Sequence, residues 1–321
     1  MKNILVLAAG RRVELIQALQ QDLAARLPGQ RVVVADMRPE TSAACQVADQ
    51  AITSPSVRDP GYIDWLLQRC LEHEVGLALP TIDNELLILA QARERFAKHG
   101  IHLIISDESL IQQCRDKRLT AELFQSIDLA TPEIYPRDAV RFPAFAKPYD
   151  GSRSIGALAL PTASSLTPDL LADEKLMFMA FVDGGHDEYT IDAYYDRGGA
   201  LRSLVPRQRL EVRSGEVSKG ITRRGAVYNY LWPRLARLEG ARGCLTVQIF
   251  ADLARDSFAG IEINPRFGGG FPLSHAAGAT YGGWLMDEYL LGREVATFDG
   301  WKDNLLMLRY DAKILAEDAD V

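Results

Sequence analysis

In the N-terminal third of the chain, apolar residues alternate between strand and helix spacing. Residues 3–9 form a run that is apolar throughout after Asn3 and is closed by Gly10, as expected of a strand buried on both faces. Residues 13–27 repeat apolar positions at helical spacing until Pro28 and Gly29 interrupt them. A β-branched run follows at 31–36, then a helical pattern at 60–74, a strand at 76–80, a helix at 84–99 and a strand at 101–105. Strands and helices in regular succession predict a right-handed, doubly wound α/β lobe.

The pattern changes after Ser106. Residues 107–114 and 116–126 read as short helices, and 131–143 is proline-rich. Short strands follow at 144–147, 157–160, 176–182, 188–195, 202–213, 244–252 and 259–264, separated by turn residues. Such a run predicts α+β lobes built on antiparallel sheets. A length of 321 residues accommodates two or three lobes. No internal repeat or low-complexity tract is present.

Composition narrows the function classes. A net charge of −7 argues against a general nucleic-acid binder, which needs a basic face. Cys45, Cys70, Cys114 and Cys244 are widely spaced and form no C-x-x-C pair, so they read as reduced thiols. The N-terminal apolar run is too short to span a membrane. The expectation is a soluble, cytoplasmic protein with no nucleic-acid or membrane partner, its oligomeric state open between monomer and homodimer.

Several familiar motifs fail. Gly10 after the first strand and Asp36 after the second imitate a dinucleotide site, but Arg11 and Arg12 stand where G-x-G-x-x-G would place further glycines. Neither a P-loop nor G-x-S-x-G occurs. The five histidines are dispersed, and His275 is expected to pack or to line a pocket rather than to act as a base.

Three segments carry chemistry. In FPAFAKPYDGSRSIG (142–156), Lys147 lies in an apolar strand, where burial is costly without a negative partner. The following loop, with Gly151, Ser152, Ser154 and Gly156, can wrap phosphate oxygens; a surface lysine before an ordinary hairpin is the competing reading. In CLTVQIFADLARDSFAGIEIN (244–264), period-two alternation puts Glu262 and Asn264 on one face with Gln248 on the paired strand. These oxygen ligands suit Mg²⁺, and Arg266 just beyond can stabilise a transferring phosphoryl group; a polar strand face is the alternative. In 204–224, Arg207, Arg209, Glu211 and Arg213 fall at period two on one strand face, followed by Lys219, Arg223 and Arg224. That cluster can hold a triphosphate or a substrate carboxylate, or form a solvated charged face.

The order F-P-x-F-x-K-P, a glycine-serine loop, Gln248 and EINPRFGGG resembles the ATP-grasp superfamily. Within it, the chain is similar to short single-copy proteins that match one half of the carbamoyl-phosphate synthase large subunit, including GRR at 10–12 and PTIDNEL at 80–86. The resemblance implies a Rossmann-like lobe at 1–105, an ATP-grasp N-terminal subdomain with lid and hinge at 106–182, and a C-terminal subdomain with the metal and substrate site at 183–321. It implies that Lys147, Lys117, Ser152, Ser154 and Gly156 meet nucleotide phosphate, that Met179 to Val182 read adenine, and that Glu188 binds ribose. Gln248, Glu262 and Asn264 would hold Mg²⁺ (or Mn²⁺), with Arg266, Arg209 and Arg207 catalytic. Ala180 stands where the family's hinge usually has Gln or Glu, which removes a side-chain contact with the base. The activity implied is ATP-dependent activation of a carboxylate as an acyl phosphate for attack by an amine. A non-catalytic ATP-binding regulatory module and carbamoyl-phosphate synthesis are the alternatives. Residues 268–270 and 273–281 are expected to shape the acceptor pocket, with Arg11, Asp83 and Glu85 as a second place to seek the acyl substrate.

Overall fold

Valine, isoleucine and leucine dominate the strands of the first lobe, and alternate residues enter different cores. The computed structural model describes residues 2–151, 155–213 and 215–316. The chain begins β1 (Asn3–Leu7), α1 (Val13–Arg26), β2 (Val32–Asp36), α2 (Ala43–Val47), β3 (Gln50–Thr53), α3 (Tyr62–Glu72), β4 (Val75–Pro80), α4 (Asp83–Ala97) and β5 (His102–Leu103). The five strands form a parallel sheet in the order β3-β2-β1-β4-β5. Ile4, Val6, Val32 and Val34 pack toward α1, while Leu5, Leu7, Val33 and Ala35 pack toward α3 and α4. Strand order reverses between β1 and β4, so the loops after these strands part and open a crevice. Asp36 supports that crevice by accepting the Gly10 N–H at 3.2 Å.

Helices α5 (Glu108–Arg115) and α6 (Lys117–Ser126) lead to a second sheet of β6 (Ile134–Tyr135), β7 (Ala144–Pro148), β8 (Leu158–Leu160) and β9 (Leu176–Ala180), with α7 (Pro168–Ala172) before β9. Its order is β6-β9-β7-β8, antiparallel throughout. The third sheet contains β10 (Asp187–Tyr195), β11 (Leu201–Arg213), β12 (Glu216–Thr222), β13 (Gly243–Asp252), β14 (Ser257–Asn264) and β15 (Leu306–Leu308). It is also antiparallel, in the order β14-β13-β10-β11-β12-β15. Helix α8 (Ala226–Leu235) covers one face; α9 (Phe271–Ala276) and α10 (Tyr281–Leu290) lie on the side of the first lobe. A parallel α/β lobe followed by antiparallel α+β lobes is the order the sequence predicts. No helix among the described residues is long and apolar enough to cross a membrane.

Two packing features fix the sheets relative to the helices. Arg207 and Asp192 form an ion pair inside the third sheet, at 2.8 and 3.1 Å, both almost wholly buried. Ser274 donates to the same carboxylate at 2.6 Å, and the Tyr281 hydroxyl donates to the Asp192 carbonyl at 2.9 Å, tying α9 and α10 to β10. On the other face, α6 lies against β14 at Gly260, whose N–H donates to the Ala130 carbonyl at 2.7 Å. A β-carbon at Gly260 would stand 2.6 Å from the Phe124 ring and 2.7 Å from Leu129. Gly260→Ala should therefore destabilise the fold by about 1–3 kcal/mol through overpacking. Urea denaturation checks this; a loss below about 0.5 kcal/mol, typical of an unconstrained surface site, would show that α6 gives way freely.

Candidate active site

A cavity of about 890 Å³ lies where the three sheets meet. Its floor comes from β13 and β14, where Val247, Ile249 and Ile263 enter the core and the intervening polar residues face out. The strands pair Gln248 with Glu262 and Thr246 with Asn264. Glu262 Oε1 accepts from Gln248 Nε2 at 2.8 Å and from Asn264 Nδ2 at 2.9 Å, so three oxygen-bearing side chains converge. The second Glu262 oxygen accepts no hydrogen bond among the described residues.

The opposite wall comes from the second sheet. Ala144 and Ala146 enter its core, so Phe145 and Lys147 face the cavity. Lys117, the first residue of α6, also lines the cavity and donates to the Gly151 carbonyl. Burial, and then the neighbouring Lys117, lower the Lys147 ammonium pKa to about 8, with Glu262 pulling weakly the other way. Gly156, at φ 74°, lies against Pro148 between the lining residues Ile155 and Ala157 and does not itself line the cavity. Ser152 and Ser154 lie outside the described residues. Met179, Ala180, Phe181 and Val182 form the edge where the chain passes from the second sheet to the third.

The basic strand does not behave as its spacing predicts. Register shifts on β11 between Arg209 and Glu211, and between Glu211 and Val212, break the alternation. Arg209 faces the cavity and pairs with Glu188 at 2.5 Å, with Gln248 Oε1 at 3.5 Å. Beyond the shift, Glu211 pairs with Lys219 and Arg213 with Asp311, both in exposed positions. Arg223 and Arg224 turn to Asn304 and to the 299–303 segment. Arg207, expected to be catalytic, is engaged by Asp192. It touches the cavity wall with about 1% exposure.

Past β14, Arg266 reaches into the first lobe and donates to both Asp83 oxygens, at 3.1 and 2.7 Å. Its Nη2 also approaches Asn264 Oδ1 at 3.3 Å. Arg12 lines the same end of the cavity and donates to the carbonyls of Thr81 and Phe267.

Residues 4–104 match the family described as PylC-like, N-terminal domain. Residues 172–308 match the family described as ATP-grasp in the biosynthetic pathway with Ter operon. The stretch that carries the third sheet thus matches an ATP-grasp family. Among solved structures, it is similar to the biotin carboxylase domain of Hydrogenobacter thermophilus 2-oxoglutarate carboxylase, solved with MgADP, ADP and bicarbonate. There the TM-score is 0.74 at 14% identity, over 95% of this chain and 73% of that one. It is also similar to Staphylococcus aureus N5-carboxyaminoimidazole synthetase complexed with ADP, with a TM-score of 0.69 at 15% identity, over 96% and 81% of the two chains. Bacillus licheniformis L-amino acid ligase gives 0.70 at 17%, over 94% and 77%. At these identities the likeness is one of fold. No curated protein matches the chain significantly in sequence.

The cavity gathers Lys117, Lys147, Met179, Val182, Glu188, Arg207, Arg209, Gln248, Glu262, Asn264 and Arg266. Residues 268–270 line it, but 273–281 do not: Ser274 and Tyr281 are spent on Asp192, and His275 faces Asp22 at 3.9 Å. Arg11 is exposed and off the cavity, whereas Arg12 lines it. Glu85 is buried beside Tyr62 and off the cavity; burial raises its carboxyl pKa to about 7. Arg12 stands in the sequence only as part of GRR, and nothing local to that motif signals its contact with Phe267.

The Lys147 ammonium gives a stability test. Its folded value near 8 lies below the ordinary 10.5, so the unfolded chain holds the proton more tightly between these values. Stability should therefore rise as pH climbs from about 8 toward 10.5, and the cost of the buried charge is fully present below 8. Lys147→Met should stabilise the ligand-free protein at neutral pH by roughly 1–3 kcal/mol, at about 1.4 kcal/mol per pKa unit. Denaturation at pH 7 checks it, and a destabilised variant would mean the charge is already compensated.

Proposed function

We propose that this chain is an ADP-forming ligase that uses ATP to activate a carboxylate for attack by an amine. The observation that carries the reading is the pairing of two ammonium groups, Lys147 and Lys117, across one cavity from the Gln248–Glu262–Asn264 oxygen cluster. The fold supports it, since similar structures include an L-amino acid ligase and enzymes solved with ADP or MgADP. In this reading, residues 1–105 form the first lobe, 106–182 the lid and hinge, and 183–321 the lobe with the metal and substrate site.

The donor set suits a hard cation. Glu262, Asn264 and Gln248 all offer oxygen, and one Glu262 oxygen is uncommitted among the described residues. Mg²⁺, or Mn²⁺ in its place, would be held there and would neutralise phosphate charge. Lys147 and Lys117 bind the phosphates, and the 179–182 edge holds the base through its backbone, Ala180 offering no polar side chain. Glu188, held by Arg209, faces the ribose. Arg209 and Arg266 flank the oxygen cluster and stabilise negative charge on the transferring group. A substrate carboxylate oxygen attacks the γ-phosphorus, and the bond to the β-phosphate oxygen breaks with its electron pair leaving on ADP. The amine nitrogen then attacks the acyl carbon and loses a proton as phosphate departs.

Mg·ATP at about a hundredfold above its dissociation constant should stabilise the protein by about 2.7 kcal/mol. An unchanged melting temperature at saturating Mg·ATP would defeat the assignment. Glu262→Gln should leave the fold intact and nearly abolish ADP release, assayed against a panel of carboxylates and amines. Full turnover in that variant would move the metal elsewhere.

A further inference from the structure

Arg12 sits just after β1, at the switch point of the parallel sheet, and its side chain crosses to the third lobe. Its Nη1 donates to the Phe267 carbonyl at 3.1 Å and its Nη2 to the Thr81 carbonyl at 3.0 Å. The Arg266 Nη1 donates to the same Phe267 oxygen at 3.2 Å. Two guanidinium groups therefore converge on one neutral acceptor. Asp83 answers the charge of Arg266 through two hydrogen bonds, but Arg12 forms no ion pair among the described residues. Burial, and then the proximity of Arg266, lower the Arg12 pKa to about 10, while Glu216 and Asp83, beyond ion-pair distance, oppose the shift only in part, so it stays charged at neutral pH. Two carbonyl dipoles orient a guanidinium without neutralising it, and a partly buried charge beside a like charge is costly. The arrangement calls for an anion from the cavity.

Position and shape select that anion. Moving outward from the oxygen cluster, Asn264 is followed by Arg266 at 3.3 Å and then by Arg12, which shares the Phe267 carbonyl. The nucleotide phosphates belong to the lysine pair on the facing sheet, so the Arg12 end lies toward the acceptor. The guanidinium is a planar fork matched to a planar carboxylate, and its two backbone contacts hold it at a fixed angle. Resting on the ligase reading above, we propose that Arg12 binds the carboxylate of the acyl substrate and, with Arg266, presents it to the transferring phosphate. The substrate class is then a small carboxylic acid whose recognition depends on residues of both the first and the third lobes.

Malonate serves as a simple carboxylate probe, titrated by thermal shift against chloride at equal ionic strength. Wild-type protein should be stabilised saturably, and Arg12→Ala should weaken malonate by about tenfold or more, as expected for a lost charge-assisted hydrogen bond. Arg12→Lys should retain part of the effect, and stabilisation by Mg·ATP should be unchanged in both variants. Equal malonate affinity in wild type and Arg12→Ala, or no saturable effect in wild type, overturns the proposal. Should Arg12→Ala fail to fold, wild-type crystals soaked in malonate decide: a carboxylate on the Arg12 fork supports the assignment and one bound elsewhere refutes it. Failure of Mg·ATP to stabilise wild type would defeat the nucleotide reading alone, since the malonate titration still reports on Arg12.

Discussion

Asp192 on β10 and Arg207 on β11 pair diagonally across the two strands with almost no solvent contact. Removing two charges from water costs several kcal/mol per ion unless the remaining donors and acceptors are satisfied. Here the Arg207 Nε and Nη2 both reach Asp192, and Ser274 completes the carboxylate. Gly270 leaves room for the guanidinium, because a β-carbon there would stand 2.2 Å from Nη1. The Tyr281 hydroxyl bonds the Asp192 carbonyl, which seats the start of α10. Helix α10 in turn packs on α1, where Asp22 accepts the Gly283 N–H at 2.9 Å and Arg26 reaches Asp287 at 2.9 Å. Helix α1 begins beside Arg12. One buried ion pair in the third sheet therefore sets where the first lobe presents its cavity residues.

The cavity floor was legible in the sequence because a sheet with one buried face favours alternation. Val247, Gln248 and Ile249 on one strand, and Glu262 through Asn264 on the next, reveal which side each residue takes, whereas Ile261 falls at a register shift and lines the cavity beside Glu262. The basic strand was misread for the converse reason. Its register shifts after Arg209 lie outside any period-two pattern, and Asp192, which commits Arg207, is 15 residues away on another strand. Helix α10 is not among the elements that the spacing predicts, and its first turn carries two glycines, which disfavour a helix. Its glycines instead allow close approach to α1: a β-carbon at Gly282 would stand 2.7 Å from Leu19, and one at Gly283 2.4 Å from Arg26. Local propensity yields there to packing.

Two like-charged pairs, Lys147 with Lys117 and Arg12 with Arg266, open onto one cavity in a chain whose net charge is −7. The acidic surface repels anions at long range, so affinity for an anionic substrate must come from inside the cavity. Low-dielectric walls confine the field of the cationic pairs and strengthen it locally. The two pairs differ in how they bear their repulsion. Lys147 does so partly by a depressed pKa, so its charge is adjustable and an arriving phosphate can restore it. A guanidinium has almost no such freedom near neutral pH, and Arg266 relies on Asp83 instead. Arg12 has only carbonyl hydrogen-bond partners among the described residues, and Glu216 and Asp83 offset its charge only from beyond ion-pair distance, which leaves much of that charge directed at the cavity. The lysine pair thus suits a ligand whose charge changes during reaction, and the arginine pair suits one that must be held at a fixed angle while it reacts.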